Sequence, residues 1–257
     1  MTRLLEAIGR RVMRSLEELG LFFQMAGRFA MWAVRPPYDF PELLRQMVRV
    51  GVDSVPVCFL TTLFTGMVMA LQTFNGFRRF HAESFVGSVV ALSLTRELAP
   101  VLTAFMVTGR VGSAMAAELG SMRVTEQIDA MTALGTEPVQ YLVVPRVAAS
   151  IIMLPPLVVM GDAVGMLGGY LVAVQLMGAN PVSYIENSFQ YLEVGDDIVS
   201  GLIKAAAFGL IFSLVACVRG FYTVGGAEGV GRSTTRAVVA GSLSILLADF
   251  FLTKLLR

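Results

Sequence analysis

The chain has 257 residues, 55% of them hydrophobic and only 15% charged, and its mean hydropathy of +0.70 lies far above that of a soluble domain. A net charge of +1 gives no bulk attraction to nucleic acid, and a lone histidine, His81, is too little for a His-based metal site or a hydrolytic triad. The two cysteines, Cys58 and Cys217, fall inside apolar runs and read as small buried hydrophobes rather than as a disulfide.

No signal peptide is expected, since the first long apolar run begins only after residue 50. In the first fifty residues Leu5, Ile8, Val12, Leu16, Leu19 and Phe23 recur at spacings of three and four. Arg3, Arg10, Arg11, Arg14, Glu17 and Glu18 cover the other faces. This predicts an amphipathic helix with a basic side, lying in a membrane interface or packed on a soluble partner. Pro36-Pro37, flanked by Trp32 and Tyr38, must break it. A second short pattern, Phe40, Leu43, Leu44 and Met47 with Arg45 and Arg49, leads into the apolar region. Residues 1–49 therefore form an N-terminal segment and 50–257 a membrane domain.

About 20 apolar residues cross one bilayer, which predicts five spans and an all-α integral membrane protein. The first covers 52–74, with Pro56 near its start. The second, 85–119, is too long for a straight span and carries Pro100, so it is broken or tilted. The third covers 147–177 and holds Pro155-Pro156 and Gly161, Gly165, Gly168 and Gly169 around Asp162. The fourth covers 201–218 and the fifth 237–256.

The stretch 93–135 organises the rest. Arg96, Glu97, Arg110 and Glu118 sit within its apolar part, and ionisable groups in hydrocarbon normally face a bundle interior or cavity and mark function. Small residues recur four apart in two rows, Gly112, Ala116, Gly120 and Gly109, Ser113, Ala117, which lets helices approach closely. A short polar helix follows over about 122–135. Thr125 is its expected N-cap, Glu126 and Asp129 favour its positive end, and Gly135 is placed to close it.

Loop charge orients the chain. Residues 1–49 hold eight arginines and 219–236 hold three, whereas 178–200 hold no Lys or Arg but Glu186, Glu193, Asp196 and Asp197. The positive-inside rule puts the N-terminus and the 120–146 and 219–236 loops in the cytoplasm, and an odd span count puts the C-terminus outside. Arg78-Arg79 in the first external loop oppose this weakly. Arg96 and Glu97 then lie roughly 16 Å in from the outer end of the second span. With Asp249 and Lys204 they either line a cavity open to the outside or form structural ion pairs, and Lys204 alternatively snorkels. Arg110 and Glu118, eight apart on one face, read as structural. The sequence assigns no role to Asp162.

No ATP-hydrolysing motif is present: the only lysines are Lys204 and Lys254, neither in a G-x-x-x-x-G-K-[S/T] context. The run Gly225-Gly226-Ala227-Glu228-Gly229-Val230-Gly231 reads as a cytoplasmic turn, with Ser233 or Thr234 capping the fifth span.

The run LSLTRELAPVLTAFMVTGRVGSAMAAELGSMRVTEQIDAMTALG, together with GVGRSTTRAVV and the late Asp249, closely resembles the MlaE permease family, the membrane subunits of MCE-linked lipid ABC systems. The likeness covers nearly the whole chain past residue 40. It implies a homodimer in the inner membrane of a Gram-negative bacterium, an MlaF-like ATPase dimer, an MlaD-like MCE ring in the periplasm and an MlaB-like STAS protein as a candidate accessory subunit. It also implies phospholipid movement between inner and outer membranes to maintain outer-membrane asymmetry, with no cofactor and no enzymatic activity of the chain's own. By the same resemblance, Arg96, Glu97, Lys204 and Asp249 line an outward-open lipid pocket, and Leu63, Met67 and Leu71 contact acyl chains. Met122, Arg123, Thr125, Glu126, Ile128, Asp129 and Met131 belong to a coupling helix that seats in the ATPase. The alternatives are an ATPase-independent secondary transporter or channel working through Glu97 and Asp249, or a permease for another hydrophobic substrate such as a sterol.

Overall fold

The computed structural model describes the backbone of residues 2–36 and 39–256 and the side chains of 13, 16–36, 39–193 and 195–256. The expectations for Pro37, Tyr38 and the side chains of Leu5, Ile8 and Val12 therefore lie outside the described residues. Every regular element among the described residues is helical. In chain order these are α1 (Thr2–Ala33), α2 (Phe40–Val50), α3 (Val55–Phe77), α4 (Val86–Ser93), α5 (Ala99–Val107), α6 (Ser113–Val124), α7 (Gln127–Ala133), α8 (Val144–Tyr170), α9 (Pro181–Gln190), α10 (Val199–Phe221) and α11 (Gly226–Leu255). Five stretches, Phe40–Phe80, Glu83–Val124, Val139–Leu176, Gly195–Phe221 and Gly226–Leu255, are long and apolar enough to cross a membrane.

The second span is one interrupted rod, α4–α5–α6, widened by π-helical turns at Leu94–Leu98 and Thr108–Gly112. Its 42 residues would reach about 63 Å at 1.5 Å per residue. That is about twice the ~30 Å hydrocarbon core, so the rod projects beyond it. The break expected at Pro100 takes the form of the first π turn.

Glycine sets the closest helix contacts. A Cβ on Gly66 of α3 would stand 1.9 Å from the Gly165 carbonyl oxygen of α8, so the two backbones touch where both side chains are absent. The row Gly112, Ala116, Gly120 packs against Phe212, Ala216 and Thr223 at the α6–α10 seam. In the other row Gly109 faces open space and Ser113 spends its hydroxyl on the Gly109 carbonyl, so this row makes no comparable seam.

Helix α1 uses two faces. Met25 is buried, and Phe22, Phe29 and Trp32 pack with it onto Leu119, Val143, Leu214 and Phe221 of the bundle. Met13, Leu16, Leu19 and Phe23 remain exposed. Ion pairs Arg219–Glu18 (2.8 Å) and Arg28–Glu137 fasten the helix. Asp39 caps α2 by accepting the Glu42 amide at 3.1 Å.

Three local expectations change. The acidic stretch 178–200 contains a helix, α9, whose N-cap Asn180 accepts from the Val182 and Ser183 amides. Residues 226–236 are not a turn but the first third of α11. Gly225, at φ +98°, stands at its N-cap, while Thr234 bonds the Val230 carbonyl and Ser233 meets Thr223. Thr125 does not cap α7: it ends α6, its hydroxyl bonding the Ser121 carbonyl, and Glu126 at φ +60° precedes α7. Gly135 does close α7. At φ +76° it donates to the Thr132 carbonyl while Thr136 donates to Met131, a Schellman arrangement.

Candidate functional site

The break in the second span creates the centre of the site. Pro100 has no N–H, so the carbonyl of Arg96, one helical turn earlier, loses its backbone donor. Gly201 lets α10 press against the same turn: a Cβ there would stand 2.6 Å from the Thr95 carbonyl oxygen. Lys204, nearly one turn further along α10, donates to the Arg96 carbonyl at 3.0 Å. An orphaned backbone acceptor in the membrane is thus satisfied by an ammonium group.

Lys204 also donates to Glu97 Oε2 (2.7 Å) and Thr253 Oγ1 (2.7 Å), and Asp249 Oδ1 lies 3.4 Å away. Thr253 in turn donates to Glu97 at 3.2 Å. With a side chain only 3% exposed, Lys204 does not snorkel but joins the second, fourth and fifth spans. Arg96 pairs with Asp197, and the contrast matters: the arginine side chain is 48% exposed and the aspartate side chain fully buried. The Glu193 amide holds the other Asp197 oxygen at 2.8 Å. Asp197 therefore anchors Arg96 while leaving its head at the surface.

Two connected clefts open around this cluster. One, about 470 Å³, is lined by Glu97, Leu246, Asp249, Phe250, Thr253 and Lys254. Its neighbour, about 300 Å³, is lined by Arg96, Glu97, Asp196, Ser200, Lys204, Thr253 and Leu256. Both lie where α10 begins and α11 ends. Lys204 is 15 residues from Arg219 at the other end of α10, about 22 Å. The four charged residues singled out by sequence thus gather at one end of the bundle.

The sequence reading did not single out Asp197, Thr253 or Lys254. Asp197 looked like one more acidic loop residue, and Thr253 gives no signal apart from sitting four residues after Asp249. Lys254 is exposed and has no ion-pair partner among the described residues, so it and Arg96 are the accessible cations, whereas Lys204 is already neutralised. Leu63, Met67 and Leu71 are not brought to either cleft. Leu63 and Met67 pack at Gly168 on the α3–α8 seam, and Leu71 is exposed.

A second charged network lies near the opposite end. Glu118 pairs with Arg49 (2.7 Å) and with buried Arg146 (3.0 Å), and Arg110 bonds Ser54 and the Arg49 carbonyl. These contacts lock the α2–α3 elbow, in keeping with a structural role for Arg110 and Glu118. The adjoining α7 offers less than its sequence suggested. Ile128 is 2% exposed and packs into the bundle beside Leu119 and Val139, while Met122 packs against the same cluster and is only partly buried. Leu134, 84% exposed, and the Asp129–Arg123 pair form its outer surface, while Met131 is partly covered.

The family model for permease MlaE matches residues 43–255. A "Probable ABC transporter permease protein" of Rickettsia bellii is 48% identical over 251 residues, 97% of this chain and 96% of the relative. The "Intermembrane phospholipid transport system permease protein MlaE" of Haemophilus influenzae is 36% identical over 255 residues, 98% of this chain and 97% of the relative. The chloroplastic protein "TRIGALACTOSYLDIACYLGLYCEROL 1" of Arabidopsis thaliana is 41% identical over 230 residues, 90% of this chain and 65% of the relative.

Proposed function

The chain belongs to the MlaE permease family, and from that premise we propose that it is the membrane subunit of an ABC transporter whose cargo is phospholipid moved between the inner and outer membranes of a Gram-negative cell. It works as a homodimer with an MlaF-like ATPase dimer beneath an MlaD-like MCE ring, with an MlaB-like STAS protein as an accessory. The N-terminus is cytoplasmic and the C-terminus periplasmic; α1, in the segment 1–49, lies in the interface on its row of Met13, Leu16, Leu19 and Phe23. Helix α7 couples to the ATPase through Thr125, Glu126, Asp129 and Leu134.

The single observation that carries this reading is a cationic, partly exposed rim beside an apolar wall. Lys254 borders the cleft walled by Leu246 and Phe250, and Arg96 borders the adjoining cleft, whose apolar lining is Leu256. A phospholipid joins an anionic phosphate to long chains, and this pairing of surfaces is complementary to it. Lys204, Glu97 and Asp249 hold the three spans in register, so a movement of α10 or α11 reshapes both clefts. ATP-driven closure of the partner subunits, passed through α7, is the step that would collapse them. An ion-coupled mechanism through Glu97 and Asp249 would have to compete with Lys204, which contacts both carboxylates.

The test uses Arg96→Gln and Lys254→Gln in the intact transporter. Glutamine avoids placing a second carboxylate against Asp197. Each variant should assemble and retain severalfold less phospholipid after purification, in line with about 1 kcal/mol per basic group near an anionic surface. Lys254→Gln should melt as the parent does, whereas Arg96→Gln should melt lower because it leaves buried Asp197 without its cation. Unchanged lipid retention in the double variant would refute the assignment of the headgroup site.

A further inference from the structure

At the end of the bundle that holds α1, a further cleft of about 390 Å³ is lined by Glu18, Arg219, Thr235, Arg236 and Val239. It is separate from the site above: Arg219 and Lys204 stand about 22 Å apart along α10. Three helices build it, α1 through Glu18, α10 through Arg219 and α11 through the other three. Among the described residues its charge balance is two guanidiniums to one carboxylate. Glu18 engages Arg219 through one terminal nitrogen at 2.8 Å. Arg236 is exposed and forms no ion pair among the described residues.

The apolar surroundings have a direction. From Val239 an exposed row continues along the same face of α11 through Leu243 and Leu247. From Arg236 to Leu247 is 11 residues, about 16 Å, close to half of the ~30 Å hydrocarbon core. A cationic cleft at headgroup depth with an apolar row one leaflet long beneath it matches one ligand chemistry. Basic pockets between membrane helices bind anionic lipid headgroups.

We propose that Arg219 and Arg236 form an anionic-phospholipid site in the leaflet on the α1 side, with the phosphate between the two guanidiniums and an acyl chain against Val239, Leu243 and Leu247. The bound lipid links α1 to α10 and α11 from outside the bundle. The site does not depend on which molecule the transporter moves.

The experiment is native mass spectrometry of the purified transporter titrated with phosphatidylglycerol, phosphatidylcholine or inorganic phosphate, for the parent, Arg236→Gln and Arg96→Gln. Arg236→Gln leaves the Arg219–Glu18 pair intact and so keeps α1 fastened. It should lower the preference for phosphatidylglycerol over phosphatidylcholine about fivefold, the loss expected for one arginine near an anionic surface. Arg96→Gln should leave a phosphatidylglycerol preference that Arg236→Gln, added to it, removes. An unchanged preference in Arg236→Gln would overturn the proposal, and so would competition by inorganic phosphate as effective as the lipid's own binding. Failure of the Arg96 site with the Arg236 site intact would count only against the transport reading.

Discussion

At the residue scale, the clearest prediction concerns Lys204, whose burial is tolerable only because Glu97, Asp249, Thr253 and the Arg96 carbonyl surround it. Lys204→Met leaves two carboxylates facing each other without a cation. Removing one partner of a buried ion pair costs about 3 kcal/mol, which thermal denaturation in detergent should report as a lowered melting point. Adding Glu97→Gln and Asp249→Asn should restore most of it; a triple variant that melts no higher than Lys204→Met alone would contradict the ion-pair account. Sequence revealed these charged residues because charge inside an apolar run is conspicuous. It did not reveal what Lys204 binds, since its acceptor is a backbone carbonyl freed by Pro100 and reached across Gly201, which only the packing of two spans supplies. Asp197 was hidden for the converse reason: in a hydrophilic stretch a buried carboxylate looks like any solvated one.

Elements were legible wherever one period ran long enough. Five apolar runs of about 20 residues identify five spans, and Gly135 identifies the end of α7. The starts of α9 and α11 were obscured, one by acidic residues and the other by a glycine cluster that sequence reads as a turn but that opens a helix. Packing predictions belong to this scale. Gly66→Val must push α3 away from Gly165 and should cost about 1–3 kcal/mol, the usual range for overpacking. Gly109→Ala meets nothing within 4 Å and should be neutral within about 0.5 kcal/mol. Equal losses in the two would contradict the assignment of the α3–α8 seam. For α7, Ile128→Ala should destabilise the chain by about 2 kcal/mol or more, as large-to-small core changes do. Leu134→Asp should leave stability alone and abolish co-purification of the ATPase. An ATPase still bound to the Leu134→Asp variant would remove α7 from the coupling role.

At the scale of the whole molecule, two charged centres sit at opposite ends of one bundle. The end with α1, Arg49, Arg146 and Arg219 is rich in arginine, and the end with Lys204 and Asp249 opens clefts. This polarity predicts that a cysteine replacing Arg78 is labelled by a membrane-impermeant maleimide from the periplasm, and one replacing Glu126 only after the inner membrane is opened. Cys58 and Cys217 are free and buried, so background labelling should be low; the reverse pattern would invert the orientation. The central claim, an ABC permease that carries phospholipid, is tested most directly by gentle purification of the tagged chain from native membranes, with identification of every bound protein and lipid. The account predicts an ATPase in near-equal amount to the chain, an MCE protein and retained phospholipid. A chain that emerges as a lone oligomer, without ATPase or phospholipid, would contradict it.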